Sequence, residues 1–290
     1  MDQSLIDVHA THLQSHLRYI QEERNVSSPA DYFREYLGFS NIDSAYENYP
    51  LDIIYRVPSL SPAEVMIVLK NPNISESSVS SGGGTGEDIL LDKYLNGTDS
   101  PEDKVEKIED VSRIWISEWF ADNHGPQARL KKIVGHGIEG GYIPDIEDKS
   151  EKQLLLPTVR KEDVDSPGEI PTDVPTEEIS GFHNRFYVTE LSKLRAPQNE
   201  WPFHLEEQVI AKDYLRNEIE VVDPTLVIAM GDKPRTVVKE FGVESVGENL
   251  YRLTGFEDSD RYLLVLDHPS YPPADYSPAA EAFSRLDLKS

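Results

Sequence analysis

The sequence predicts an α/β protein, built as a three-layer open sheet of about four mainly parallel strands with helices on both faces. Two observations lead to this fold class. Four short apolar runs have the length of buried strands and end at turn residues, and helical stretches separate them. Strands that alternate with helices favour a mostly parallel sheet, because parallel neighbours need long crossover connections. A length of 290 residues fits one such domain, spanning 1–290.

The predicted elements follow in chain order. The N-terminal part, 1–60, is expected to be helical, since its apolar residues recur at helical spacing. A polar, glycine-rich stretch at 75–86 is expected to be a loop, and it is not a P-loop because no Gly-Lys-Ser/Thr follows. The segment 140–180 has five prolines and 11 acidic against 4 basic residues, which indicates an acidic Pro-rich insertion or lid. The remaining elements are helices at 5–20, 28–36, 89–95, 102–123, 206–221 and from 234, strands at 63–69, 184–191, 225–230 and 262–266, and a short connecting strand around Arg252.

The charge balance is strongly acidic. Lys and Arg number 28 against 53 Asp and Glu, for a net charge of -25. Nucleic-acid-binding domains are usually basic, and this chain as a whole is the reverse. An acidic surface adapted to high salt would explain the composition, and so would an acidic face that binds a partner protein. Neither explanation excludes a local basic groove.

Several classes of site and location are excluded by composition. The chain has no cysteine, so disulfides, cysteine-ligated zinc and iron–sulfur clusters are ruled out, and no metal or other cofactor is expected. No apolar run approaches a membrane span, and the N-terminus lacks the features of a signal peptide. A cytoplasmic monomer without membrane contact is therefore expected.

Polar side chains follow three of the predicted strands. They lie in Leu69-Lys70-Asn71-Pro72-Asn73, in the stretch 189–195, and in His268-Pro269-Ser270. In an open α/β sheet the carboxyl ends of the strands line one crevice, where ligands bind. The sequence therefore predicts a single site that contains His268.

In these motifs the chain resembles the uracil-DNA glycosylase superfamily. The resemblance rests on four features in order: a strand-end Asn-Pro motif, a middle motif with a Lys-x-Arg pair, a helix–strand unit from Glu218 to Gly231, and a final His-Pro-Ser. It covers about 60–74 and 184–275. The pattern is most similar to the iron–sulfur members, although this chain has no cysteine to hold such a cluster.

The resemblance implies a role for each matching residue. His268 would stabilise the negative charge on the departing base, and Asn71 would orient the attacking water. Asn71 in an Asn-Pro pair is equally typical of a plain turn. Ser270 would hold a DNA phosphate, and Tyr271 would fill the gap left by the flipped nucleotide, unless it packs on the prolines that follow. Lys193 and Arg195 would contact the phosphate backbone, unless they are solvated charges of a loop.

Departures from the family pattern bear on the base that is recognised. Both glycines of the first motif are replaced, by Leu69 and Asn73, and Lys70 stands where some members have Gln or Glu. Glu190 takes the position of the asparagine that reads uracil. A carboxylate only accepts hydrogen bonds, and the matching donor is cytosine N4, so Glu190 with Lys70 and Asn73 suggests a cytosine-type base with room at C5. Alternatively, Glu190 is protonated, points elsewhere, or marks a pocket without activity.

These features predict a monofunctional DNA glycosylase whose partner is DNA. It would flip out a pyrimidine, either uracil or a 5-modified cytosine, and hydrolyse the N-glycosidic bond in base-excision repair or in defence against modified foreign DNA. The alternative is a catalytically inactive glycosylase-like protein that binds nucleic acid or a protein partner. An unrelated hydrolase or nucleotide-binding module on the same layers is a third class, because fold does not determine function.

Overall fold

A mixed six-stranded sheet forms the centre of the protein. The computed structural model describes residues 4–58, 60, 62–80, 86–121, 133, 136–137, 186–197, 202–256, 260–268 and 275–286. The strands are β1 (Val65–Leu69), β2 (Phe186–Glu190), β3 (Leu226–Met230), β4 (Val243–Ser245), β5 (Leu250–Leu253) and β6 (Tyr262–Leu266). The main helices are α1 (Leu5–Arg24), α2 (Pro29–Asp31), α3 (Glu76–Val79), α4 (Gly86–Tyr94), α5 (Pro101–Ala121), α6 (Leu205–Val222), α7 (Asp232–Lys239) and α8 (Ser277–Arg285).

The strand order is β2-β1-β3-β6-β5-β4. The first four strands in this order pair in parallel, and β5 and β4 continue the sheet antiparallel to β6 and to each other. All five residues of β1 and of β3 are buried, as expected for central parallel strands that are covered on both faces. The order reverses direction between β1 and β3, because the chain leaves β1 toward β2 and returns to β3 on the other side.

Helices cover both faces of the sheet. One face packs against α6 and α7 through a cluster that includes Met66, Val227 and Leu215. The opposite face packs against α8, where Phe283 contacts the ring of Phe186 edge-on at 6.5 Å between ring centroids. Each face therefore has its own apolar layer, which is the three-layer arrangement predicted from the sequence.

The predicted α/β class is confirmed, but the predicted number of about four strands is wrong. The described residues form six strands, because β4 and β5 add a hairpin beside β6. Of these two, β5 coincides with the short strand predicted around Arg252, and β4 was not predicted. β4 is only three residues long and is largely exposed, so it lacks the apolar run by which the other strands were identified. The C-terminal helix α8 was also not predicted. No helix among the described ranges is both long and apolar enough to cross a membrane.

The N-terminal part is helical as predicted, and it has an apolar cluster of its own. The predicted second helix is an α-helical turn, α2, that continues as a π-helix at Tyr32–Tyr36 and ends before Gly38, whose φ is +73°. Two 3-10 turns follow, at Ser44–Glu47 and Leu51–Ile54. This cluster extends to α4, α5 and Leu194, which ties the N-terminal part to the chain that follows β2. The proposed lid, 140–180, lies outside the described residues.

Three histidines on one face of α1 are buried inside the protein. His9 Nε2 lies 2.9 Å from the Tyr187 hydroxyl, and His12 Nδ1 lies 2.8 Å from the Tyr55 hydroxyl. The His16 ring lies 4.4 Å from the His12 ring between centroids, and neither ring nitrogen of His16 has a hydrogen-bond partner among the described residues. Burial lowers the pKa of His9 to about 4 and that of His16 to about 3, and it lowers the pKa of His12 as well. All three imidazoles are therefore neutral in the folded protein near pH 7.

These histidines make the fold sensitive to acid. Below about pH 6.5 the unfolded chain binds protons that the folded chain does not, so the free energy of unfolding falls as pH falls. The contribution of each buried histidine is about 1.4 kcal/mol per pH unit until its folded pKa is reached. We expect His16→Leu to reduce the slope of unfolding free energy against pH by about that amount, since the change removes one such group and no hydrogen bond.

Urea unfolding at a series of pH values between about 6 and about 4.5 measures this slope. His204→Gln is the matched control, because His204 is exposed. We expect the slope of unfolding free energy against pH to change in His16→Leu and not in His204→Gln. If both variants keep the slope of the parent, His16 does not resist protonation in the folded state.

Candidate active site

The carboxyl ends of the four parallel strands meet at one edge of the sheet. Leu69 at the end of β1 is in register with Glu190 at the end of β2, and Met230 at the end of β3 is in register with Leu266 of β6. This edge includes the point between β1 and β3 at which the strand order reverses. Ligands of open α/β sheets bind in the crevice at such a point.

Three predicted site residues lie at or just beyond the strand ends along this edge. The strand residues that pack toward α8 include Leu69, Val188 and Leu266. Two positions beyond each of these residues come Asn71, Glu190 and His268, respectively. Glu190 lies within β2 and therefore shares the side of Val188. Asn71 and His268 follow the last residues of β1 and β6 and lie at the same edge of the sheet.

His268 stands directly beside the end of β3. A Cβ built on Gly231 would lie 3.1 Å from the Cβ of His268, and Gly231 has a φ of +89° that side chains rarely adopt. The Gly231 amide donates to the Leu266 carbonyl at 2.9 Å, which holds the two strand ends together. Burial, with the positive charge of Lys70, lowers the pKa of His268 below its usual value. His268 is therefore a half-buried, neutral imidazole with a lysine nearby.

The side chain of Asn71 has a fixed orientation. Its Nδ2 donates to the carbonyls of Pro72 and Ala196, at 3.0 Å each. Its Oδ1 is buried and has no hydrogen-bond partner among the described residues. Because both donor positions are already used, the amide presents only an acceptor, which is what is needed to hold a water molecule.

Backbone hydrogen bonds join the first and middle motifs beyond the ends of their strands. Leu191 and Ser192 donate to the carbonyls of Leu69 and Lys70, at 2.8 and 3.0 Å. Farther along, the Ala196 amide donates to the Pro72 carbonyl at 2.9 Å. A third segment joins from the N-terminal part, since the Arg56 amide donates to the Lys193 carbonyl at 2.9 Å and the Arg195 amide to the Ile54 carbonyl at 3.0 Å. The loops that carry the site are therefore held as one unit.

Lys193 and Arg195 do not have the positions expected of phosphate ligands. Lys193 is 1% exposed, and its ammonium donates to Thr189 Oγ1 at 2.7 Å, Glu218 Oε2 at 2.7 Å and the Glu190 carbonyl at 2.5 Å. Arg195 is 3% exposed and forms an ion pair with buried Asp88. Both cations are turned inward toward carboxylates, so the expected contacts with DNA phosphate do not fit this conformation. A Lys-x-Arg pair after a strand looks the same in sequence whether its charges face solvent or the core.

Glu190 is half-buried at the end of β2. Burial raises the pKa of its carboxyl to about 7, and the charges of Lys193 and Arg56 oppose this rise without cancelling it. The side chain forms no ion pair with any described residue. Glu190 is therefore a carboxyl that changes protonation state near neutral pH.

The other predicted site residues are placed less fully. Asn73 is exposed, and its backbone bridges Ala196, so it belongs to the joined loops. Lys70 is half-buried between Leu69 and Asn71, close enough to influence His268. Ser270 and Tyr271 lie outside the described residues, and their predicted DNA contacts stay predictions.

The sequence did not predict the charged and polar residues that support the candidate site from the interior of the protein. Glu218 was recognised as part of a motif, but its role as the counter-charge of Lys193 was not predicted. Arg56 comes from the N-terminal part, and its positive charge acts on the Glu190 carboxyl. The spacing of His9 and His12 on α1 was a usable signal, because polar residues on the buried face of an amphipathic helix need internal partners.

Comparison with known proteins adds no family assignment. No protein-family model matches the sequence, and no curated protein matches it. Within the described ranges, no group of three or more His, Asp or Glu side chains could hold a metal ion.

The inward position of Lys193 predicts a large effect on stability. Lys193→Met would leave the Glu218 carboxylate buried without its counter-charge, and breaking such a pair costs about 3–5 kcal/mol. Adding Glu218→Gln should recover part of the loss, since no buried charge then remains unpaired. Lys212→Met is the control, because its pair with Glu240 is exposed and is worth at most about 1 kcal/mol. Urea unfolding measures all four proteins, and equal losses in Lys193→Met and Lys212→Met would contradict the buried role.

Proposed function

We propose that the protein is a monofunctional DNA glycosylase that hydrolyses the N-glycosidic bond of a flipped-out pyrimidine. The observation that carries this proposal is the position of Asn71, Glu190 and His268 at the carboxyl ends of β1, β2 and β6, along one edge of the parallel part of the sheet. The resemblance of the motifs to uracil-DNA glycosylases supplies the reaction class. The sheet order, with four adjacent parallel strands that present these motifs at one edge, supports the same reading.

His268 fits the stabilisation of the leaving base. When the glycosidic bond breaks, the pyrimidine departs with negative charge on its carbonyl oxygen. A neutral imidazole can donate a hydrogen bond to that oxygen from a site with little water, where such a bond is strongest. The lowered pKa of His268 keeps the ring neutral at pH 7, and the ammonium of Lys70 adds positive charge nearby.

Asn71 fits the positioning of the attacking water. Its free acceptor, Oδ1, would accept a hydrogen bond from the water and direct an oxygen lone pair toward the sugar carbon. The amide cannot rotate to offer its donors instead, since both are bonded to backbone carbonyls. Fixing the nucleophile in this way lowers the entropic part of the barrier, which is a recognised source of rate enhancement.

An assay on single- and double-stranded oligonucleotides tests the proposal. Each carries one uracil, mismatched thymine or 5-modified cytosine, and alkali-labile abasic sites are scored. Abasic sites in at least one of these substrates are expected. Binding of the same oligonucleotides without cleavage would instead favour the inactive glycosylase-like protein.

Loss of the His268 imidazole should reduce turnover without unfolding the protein. His268→Ala removes the donor to the leaving base, and a donor of this type is worth about 10²–10³ in rate. Single-turnover kinetics on the best substrate measure the effect, with circular dichroism to confirm the fold. His204→Ala is the control, since His204 is exposed. Equal rates for His268→Ala and the parent would remove His268 from the mechanism.

Loss of the Asn71 acceptor should also slow the reaction. Asn71→Ala leaves the water without its partner, and a misplaced nucleophile costs on the order of 10² in rate. Base binding should change little, because Asn71 is assigned to the water. We would measure single-turnover rates and the dissociation constant for an uncleavable analogue. A larger dissociation constant for the analogue with an unchanged cleavage rate would instead assign Asn71 to binding of the base.

A further inference from the structure

The candidate site adjoins a buried cluster of charges with unequal numbers of the two signs. The charged groups of this cluster influence one another, since Glu190 interacts electrostatically with Lys193, Arg56 and Glu218, and Arg56 does so with Arg195 and Asp88. The cluster contains three cations and four carboxylates: Arg56, Lys193 and Arg195, and Glu87, Asp88, Glu190 and Glu218. Among the described residues the cluster therefore has one carboxylate in excess.

Each of the three cations is already paired with a carboxylate other than Glu190. Lys193 binds Glu218 at 2.7 Å. Arg56 is paired with Glu87, and Arg195 with Asp88. Lys193 also uses its remaining donors on Thr189 Oγ1 and on the backbone carbonyl of Glu190, not on the Glu190 carboxyl.

Glu190 is thus the carboxyl of this cluster that no cation of the described ranges pairs with. Besides Lys193 and Arg56, the titratable groups that act on it are the carboxylate of Glu218 and the hydroxyls of Tyr55 and Tyr187. The Glu218 carboxylate disfavours a second negative charge, and the two hydroxyls are neutral near pH 7. A half-buried carboxylate without a counter-charge is costly, and taking up a proton relieves that cost. A flipped base that covers Glu190 would remove still more water from it.

We infer that Glu190 reads the base as a neutral carboxylic acid, and that this acid form accepts either uracil-type or cytosine-type pyrimidines. This inference rests on the proposed function. A protonated carboxyl has one donor and one acceptor side by side, as an asparagine amide does. The chain therefore keeps the hydrogen-bonding capacity of the asparagine that Glu190 replaces.

The two kinds of pyrimidine present complementary edges to this acid. With uracil, the carboxyl O–H donates to O4 and the carboxyl C=O accepts from N3–H. With cytosine, the O–H donates to N3 and the C=O accepts from the N4 amino group. The ionised form makes only one bond in each case and places a second negative oxygen against a base acceptor. Proton uptake by Glu190 thus strengthens recognition of both bases, whereas the ionised form had suggested cytosine alone.

The test is the pH dependence of cleavage by the parent and by Glu190→Gln. Gln has nearly the same shape as the protonated glutamic acid and does not titrate. Because the pKa of Glu190 is about 7, the parent's kcat/KM should fall roughly 20-fold between about pH 6.5 and about pH 8.5, as the acid form is lost. Glu190→Gln should cleave at a rate that is nearly constant over this range and should exceed the parent at the alkaline end. Glu248→Gln, a change at an exposed position, should keep the parent profile.

Distinct outcomes separate this inference from the proposed function. If the parent cleaves at a rate that does not depend on pH, Glu190 does not act as the neutral acid. The same conclusion follows if cleavage by Glu190→Gln depends on pH as strongly as cleavage by the parent. Both outcomes leave the proposed glycosylase activity intact. Absence of cleavage at every pH overturns the glycosylase. In that case the infrared difference between parent and Glu190→Gln, recorded without DNA near pH 6.5, decides the protonation state. A protonated carboxyl band that only the parent shows supports the acid form, and its absence overturns it.

Discussion

The buried ammonium of Lys193 is the charge around which the site is organised. A cation without water must find acceptors in the protein, and Lys193 finds three, on Thr189, Glu190 and Glu218. These acceptors belong to the end of β2 and to α6, so the ammonium ties the strand end to the helix behind it. The same Glu218 carboxylate accepts from the Tyr187 hydroxyl at 2.9 Å, which in turn contacts His9 on α1. A polar network thus runs from the N-terminal helix to the edge of the crevice.

In the middle motif, the residues that stabilise the loops differ from the residue proposed to contact the substrate. The charges that hold the loops, Lys193 and Arg195, are satisfied internally by carboxylates. Backbone hydrogen bonds connect the first motif to the middle motif. Asn71 adds to this support through its Nδ2, while its buried Oδ1 has no partner among the described residues and the Glu190 carboxyl forms no ion pair with them. Support from the residues behind a reactive site fixes the geometry of that site.

The acidic character of the chain extends into this interior. The acidic residues behind the net charge of -25 are expected mainly on the surface. In the buried cluster around Glu190, the described carboxylates outnumber the cations by one, and this excess charge is locally destabilising. Costs of this kind are tolerated where they serve a site, because perturbed ionisable groups concentrate there. The net charge also opposes approach to DNA, so any affinity has to come from the crevice and its neighbouring loops rather than from the field of the whole protein.

The class of the fold, the central parallel strands and the places of Asn71, Glu190 and His268 at strand ends were all predictable from the sequence. They follow from apolar runs and turn residues, which are local properties. The strand β5 was predicted around Arg252, but β4 was not, because it is short and exposed and its pairing depends on the sheet already present. The inward orientation of Lys193 and Arg195 could be known from the folded structure alone, since the carboxylates that neutralise them, Glu218 and Asp88, are distant in sequence. Charge pairing in a buried cluster depends on which segments of the chain meet there. The spacing of residues along the sequence does not contain that information.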